Sequence, residues 1–418
     1  APAQGRRHAA GLNPAQPGIG LRALMNPAQS PELRQLLTLL TLAAFASSAS
    51  FRVCDPMLPV LAGLFDAPAG RVARIITGFT IAYGAMQLIY GPLGERFDRF
   101  RIVTLATALC AVGSLGATLA TRLDVLTLCR ILTGVAAAGI IPMSIAAIAD
   151  MVPAEQRQAV LARFFSGQII GMIFGQVLGG LCVDFGLWRV AFATLTGLYL
   201  VIAFALWKKA HLGHQTRGAQ PGTTRIADLY LAALKMLYAR ETRGVLACFF
   251  IEAALVFGML AFTPLYLHER FGLELSTASL PLLLYGAGGL LFSVFAARLG
   301  ARLNHWRYPF VAACLVATAS GIALLADHPA WLFGGALISG FGYYLLHNTL
   351  LFQITQRAQE ARSLALALSI SLFFLGQSVG VTSAGWLVDQ GRLVWVFALA
   401  ALLMPLLGAV TARQVRAS

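Results

Sequence analysis

Gly91-Pro-Leu-Gly-Glu-Arg-Phe-Asp-Arg-Phe-Arg101 returns 206 residues later as Ala297-Arg-Leu-Gly-Ala-Arg-Leu-Asn-His-Trp-Arg307, aligning Gly94 with Gly300, Arg96 with Arg302 and Arg101 with Arg307. One recurring loop means little, but a second agrees. Glu155-Gln-Arg157-Gln-Ala-Val-Leu161 matches Glu360-Ala-Arg362-Ser-Leu-Ala-Leu366 at an offset of 205. The same offset pairs Gly171 with Gly376, Gly175 with Gly380, Gly180 with Gly385, Asp184 with Asp389 and Gly186 with Gly391. Agreement of several loops and a helix on one period marks a chain made of two copies of one unit.

What lies between those loops is apolar. Of 418 residues 58% are hydrophobic and 11% charged, with a mean hydropathy of +0.75. A soluble domain carries about 25% charged residues, so a water-soluble enzyme is excluded, as are disorder, coiled coil and collagen. A spanning helix needs about 20 mostly apolar residues. Twelve such runs are present, at 35–61, 73–92, 102–120, 125–149, 160–183, 189–207, 244–267, 277–297, 308–326, 331–352, 363–387 and 393–410. The fold class is therefore all-α, a polytopic membrane protein of twelve transmembrane helices. A disordered tail at 1–33 precedes a six-helix half at 34–207. A linker at 208–243, a second half at 244–410 and a short tail at 411–418 follow. Met25 is a candidate natural start, with the residues before it an extension. Parallel halves related by an axis along the membrane normal are a transporter architecture, with the substrate site between them. Residues 225–243 place Ile226, Leu229, Tyr230, Leu234 and Leu237 at helical spacing. They read either as an amphipathic helix on the membrane face or as an early extension of span seven.

The net charge of +14 is explained by topology. Loops on the side of both termini hold 23 of the 31 Lys and Arg, and the opposite loops hold 6. Positive charge stays on the cytoplasmic side. Both termini are expected there, in a bacterial-type inner membrane, and no nucleic-acid partner is needed. The six cysteines lack CxxC pairing and fall inside apolar runs, which reads as buried structural thiols.

The 91–101 loop resembles the signature between helices two and three of the major facilitator superfamily, G-x-L-a-D-R-x-G-R-K-x. Gly91, Leu93, Glu95, Arg96, Arg99 and Arg101 follow it, with Glu95 where Asp is usual and Asp98 where Gly is usual. Arg130 and Gly134 resemble the R-x-x-q-G signature of span four, and Trp188 to Phe192 the opening of helix six. Gly171, Gly175, Gly179 and Gly180 are similar to the span-five pattern g-x-x-x-G-P-x-x-G-G of twelve-helix drug/proton antiporters, with Gln176 at the proline position. The resemblance covers residues 35–410. It implies the twelve-helix fold, alternating access and a cavity lined in part by spans one and four.

Charge inside a span costs about 2.5–3.5 kcal/mol on insertion scales, so each such residue is a functional candidate. Arg52 and Asp55 lie three apart in span one, and Arg130 lies in span four at the level of Asp55. Depth therefore allows an Asp55–Arg130 or an Asp55–Arg52 pair. Glu252 in span seven and His347 in span ten lie closer to the inner ends of their helices. Burial favours the protonated carboxyl and a nearby guanidinium the ionised one. Competition between a substrate and a proton for one carboxylate then yields exchange, while a permanent ion pair that joins helices is the structural alternative. Glu95, Arg96, Asp98, Arg99, Arg101, Asp150, Glu155 and Arg157 read as a cytoplasmic gate between the halves, or as plain topology signals. The span-five glycines read as a packing face. Tyr83, Gln87, Gln168, Tyr285 and Gln377 are candidate cavity residues, and an amphipathic wall suits lipophilic or cationic compounds.

No Walker loop, HExxH, EF-hand loop or nucleophile elbow occurs, so no catalytic residues, no metal and no cofactor are expected. The expected protein is a monomeric secondary transporter whose partners are a small-molecule substrate, protons and the bilayer. Its expected work is proton-coupled export of small lipophilic or amphipathic compounds, driven by the proton gradient. A proton-coupled sugar, amino-acid or organic-acid permease is the alternative, favoured by Arg52 and Arg130. A transport-inactive sensor or scaffold is a third reading.

Overall fold

Proline and glycine decide where the spans break. The computed structural model describes residues 31–209, 231, 234–300, 306–358 and 362–416, folded into helices joined by short turns. Helix α1 (Pro31–Arg52) stops ahead of Pro56, passes through a 3-10 turn at Asp55–Met57, and resumes as α2 (Leu58–Leu64). Pro56 and Pro59 lack the N–H that a continuing helix would donate. Span four breaks similarly, α6 (Leu123–Ala137) meeting α7 (Ile140–Met151) at Gly139. Pro142 deprives the Ala138 carbonyl of its usual donor. Gln87 supplies the missing bond, its Nε2 donating to that carbonyl at 3.3 Å.

The remaining elements of the first six spans are α3 (Ala69–Val72) leading into α4 (Arg74–Arg96), α5 (Arg99–Leu119), α8 (Ala154–Asp184) and α9 (Trp188–Lys208). The last six are α10 (Arg240–Phe271), α11 (Leu275–Gly300), α12 (Arg307–Leu325), α13 (Ala330–Arg357), α14 (Arg362–Asp389) and α15 (Leu393–Arg416). Long helices thus stand at all twelve predicted positions. Several outrun their apolar runs: α8 starts at Ala154 and α10 at Arg240. Among the described residues eleven helices are long and apolar enough to cross a membrane. The exception, α13, is 28 residues long but carries Ser339, Tyr343, Tyr344, His347, Asn348 and Gln353. Of the predicted linker helix, 234–238 are helical, and 210–230 lie outside the described residues, as do 1–30.

Packing repeats with the sequence. A Cβ on Gly171 or Gly175 would strike the backbone of Phe45 or Ala49 in α1, and one on Gly376 or Gly380 would strike Phe250 or Ala254 in α10. Close backbone approach of this kind is what small residues permit in membranes. In both pairs the helices run parallel. Helix α4 crosses α14, and α8 crosses α11, in opposite directions. Pro31 and Arg416 therefore end on one face, here called the terminal face, and the other is the far face. Helices α8 and α14 also end alike. Gly186 (φ 69°) and Gly391 (φ 70°) adopt the left-handed conformation that glycine tolerates, and Leu187 N–H and Arg392 N–H reach back to Cys182 O and Leu387 O at 2.7 and 2.9 Å.

The buried core is continuous across the two sets of spans at the far end. The first apolar cluster includes Ala49, Phe79, Ile140 and Phe192, and it continues without a break into Met259, Phe262, Leu275, Val381, Ala384 and Phe397. Those last residues all lie in the far-face portions of the last six spans. Nearer the terminal face, Val245, Phe249, Leu346 and Leu350 form a separate cluster.

Candidate functional site: the central cavity

Between the two sets of spans lies a cavity of about 510 Å³. Its wall runs from Arg52, Gln176 and Tyr285 near mid-membrane to Leu351 and Leu366, close to the terminal-face ends of α13 and α14. The cavity therefore faces the terminal side.

The break in span one places its charges. Arg52 Nη1 donates to Asp55 Oδ2 at 3.1 Å, with both side chains almost wholly buried. The guanidinium lies over two rings, Phe51 of its own helix at 4.8 Å and Phe257 of α10 at 4.6 Å. One cation thus pairs within its span while stacking across the interface, a desolvated cation–π arrangement worth about 2 kcal/mol. The side chain of Gln176 also reaches Asp55. Arg52 lines the cavity and Asp55 stands behind it.

Arg130 takes a different partner. Its Nη1 donates to Ser50 Oγ at 3.1 Å and its Nη2 to Ser50 O at 2.8 Å, with the guanidinium 4.3 Å over Phe79. The last regular backbone bond here runs from Val53 N–H to Ala49 O at 3.0 Å, so the carbonyl that Arg130 takes lies at the helix break. Of the two pairings that depth allows for Asp55, the local one with Arg52 forms. Arg130 does not line the cavity.

Glu252 and His347 meet across α10 and α13. His347 Nδ1 lies 3.1 Å from Glu252 Oε2, the carboxylate being 0% exposed and the imidazole 21%. The other carboxylate oxygen is buried without a partner among the described residues. The imidazole stacks on Tyr343 (5.4 Å, 29°) and meets the edges of Phe249 and Phe373. Only the histidine of the pair lines the cavity.

Tyr83, Gln87, Gln168 and Tyr285 line the cavity too, alongside Tyr343, Tyr344 and Phe374. Gln377 is buried outside that lining, with its Oε1 unpartnered among the described residues. Among the described residues the buried Tyr285 hydroxyl likewise has no partner.

Arg99, Asp98 and Arg101 of the 91–101 loop make polar contacts within the first six spans. Arg99 pairs with Asp150 and donates to Gly94 O (3.1 Å), and Arg157 donates to Ala149 O (2.7 Å). Asp98 caps α5, accepting from Phe100 N–H at 2.8 Å and Arg101 N–H at 3.3 Å, and Arg101 Nε stands 4.0 Å from its carboxylate. Asp98 has φ −59°, a conformation any residue adopts, so no glycine is needed there. Arg96 is exposed. The side chains of Glu95 and Glu155 lie outside the described residues. Gly171 and Gly175 pack on α1, Gly179 packs on Val53 and Pro56 at the break that follows it, and Gly180 faces Ser276 of α11.

The chain resembles known transporters in sequence and in shape. A chloramphenicol resistance protein of Streptomyces lividans is 25% identical over 82% of this chain and 86% of its own length. An uncharacterized transporter, YgaY, of Escherichia coli O157:H7 is 29% identical over 41% of this chain, which spans 44% of that relative's length. A multidrug export protein, EmrB, of Haemophilus influenzae is 29% identical over 44% of this chain and 36% of its own length. A bacterial homologue of the lysosomal transporter Spinster, solved inward-facing and unoccupied, superposes with a TM-score of 0.70 at 17% identity, covering 93% of this chain and 94% of that one. A peptide transporter variant does so at 0.75 and 14%, covering 91% and 95%. A model of the Major Facilitator Superfamily matches residues 40–361, and the chain belongs to that family, a membrane transporter and not an enzyme.

Proposed function

We propose that the protein is a proton-coupled antiporter that exports small lipophilic or amphipathic compounds by alternating access, from a cytoplasmic terminal face across an inner membrane. The observation that carries this reading is the pairing of His347 with Glu252 at the cavity wall. A carboxylate sealed from solvent exchanges protons only through its neighbour, and imidazole is built to relay one. A proton taken at Nε2 from the cavity leaves from Nδ1 to the Glu252 carboxylate. The charged pair is costly without good geometry. A compound that displaces His347, or stacks among Phe373, Tyr343 and Phe249, alters that geometry and so the occupancy of the proton. Rings, amides and few fixed charges favour lipophilic compounds, and relatives named for chloramphenicol resistance and multidrug export support the class.

Arg52 at the wall favours a second reading, a permease for an anionic metabolite, in which Asp55 yields the guanidinium to the substrate.

Liposomes holding a trapped pH dye separate the two. Tetraphenylphosphonium or chloramphenicol added outside should drive protons out, and Glu252→Gln should abolish this while compound binding stays within about threefold. An Asp55→Asn variant should keep part of the exchange. Protons moving inward with an organic acid would overturn the exporter reading.

A further inference from the structure

At the far face two exposed aspartates outside the cavity lining bridge the two sets of spans. Asp184, the last residue of α8, accepts from Ser276 N–H at the start of α11, at 3.0 Å to Oδ2 and 3.3 Å to Oδ1. Asp389, the last residue of α14, accepts from Gly70 N–H at the start of the span Ala69–Gly94, at 2.8 Å. Each bond joins the first six spans to the last six. The donors stand 206 residues apart and the acceptors 205, so the two bonds are copies of one contact made in opposite directions.

Dipoles give the contact its sign. A carboxylate at the C-terminus of its own helix faces partial negative charge and is disfavoured there, whereas the N-terminus of another helix attracts it. Each aspartate is therefore in a poor position alone and in a good one only while the opposite set of spans holds its helix start against it. Crowding beneath agrees. A Cβ at Gly70 would meet Gly385 backbone at 2.8 Å, and one at Gly180 would lie 3.3 Å from the Ser276 Cα. Under them, Thr80 and Ser378 hydroxyls are bonded at 2.6 Å, and Thr77 and Thr382 at 3.3 Å, again across the two sets.

We propose that Asp184 and Asp389 are a twofold-repeated latch, two residues that set the direction of access by stabilising the closed far face through the other set's helix starts. This rests on the transporter reading but on neither proton coupling nor the choice of substrate.

The test is far-side labelling of a Thr80→Cys reporter with a membrane-impermeant maleimide, read as the increment over the chain carrying its six native cysteines. Thr80 is ten residues along from Gly70, so about 15 Å deep. Asp184→Asn or Asp389→Asn should each raise the labelling rate about fivefold, and the double variant about 25-fold, if each removes one dipole contact. The detergent unfolding midpoint should hold or rise, because the unfavourable C-terminal charge is gone. Asp184→Glu should label close to the parent rate. An unchanged rate in the double variant would overturn the latch. So would a raised rate accompanied by a lowered midpoint, which marks a loosened fold. Labelling needs no substrate or proton gradient, so failure here is distinct from failure of the exchange assay.

Discussion

Arg130 and Arg52 are both buried arginines, yet their surroundings separate them. Arg130 satisfies a carbonyl at the break in span one and covers Phe79, which makes it a pin between α6 and α1. Replacing it by alanine should cost about 2 kcal/mol, the worth of charged hydrogen bonds to an otherwise stranded carbonyl. A lowered unfolding midpoint in detergent, with Arg130→Lys recovering part of it, is the expected result. The Arg52–Asp55 pair was one of two that the sequence left open, visible there because the residues lie three apart along one span. The Glu252–His347 pair was not visible there, since they stand 95 residues apart and the register between α10 and α13 is a tertiary fact. The signal that could have found it was shared depth, each lying a few turns from the terminal-face end of its span. Nothing marked Ser50 as a partner of Arg130, because the acceptor is partly backbone and depends on where the helix breaks.

At the level of elements, glycine spacing carried more than hydropathy did. Gly171 and Gly175 repeat as Gly376 and Gly380, and the structure turns that repeat into two equivalent seams, α8 on α1 and α14 on α10. A single methyl there has nowhere to go. Gly175→Ala or Gly380→Ala should destabilise by about 1–3 kcal/mol, the usual cost of overpacking. Gly321, in α12, has open space around its Cβ direction. Gly321→Ala should instead stabilise by about 0.4–1 kcal/mol, and thermal unfolding of the three variants side by side checks both signs. The span breaks were only half legible. Prolines 56, 59 and 142 announced them, but the capping of Ala138 by Gln87 joins α4 to the break between α6 and α7 through a bond that no local pattern encodes.

For the whole molecule, the two-unit reading of the sequence anticipated where the cavity would lie but not which way it would face. That depends on packing, and the packing is lopsided. One apolar cluster runs across both sets of spans at the far face, while the cluster around Phe249 stands apart near the terminal face. Gln168→Cys, at the cavity wall, should therefore react with an impermeant maleimide from the terminal side. Thr80→Cys, fully buried beneath the far-face seam, should react at least tenfold more slowly from either side, if opening of that seam is the rarer state. Equal rates at the two positions would contradict the asymmetry.

The lining of that cavity also bears on how the chain is made. Among the described residues α13 is the long helix that falls short on apolarity, and of the polar residues it carries, Tyr343, Tyr344 and His347 are turned toward the cavity. Polar side chains at a helix centre weigh against release from the translocation channel into lipid. During synthesis α13 gains its apolar surroundings from chain already present, chiefly α11 and α12, against which it packs in the finished protein. The nascent chain must accordingly hold α13 at the channel, or beside it, until those neighbours can receive it. The helix with the most polar cavity-facing side chains thus enters the bilayer in the company of more apolar ones.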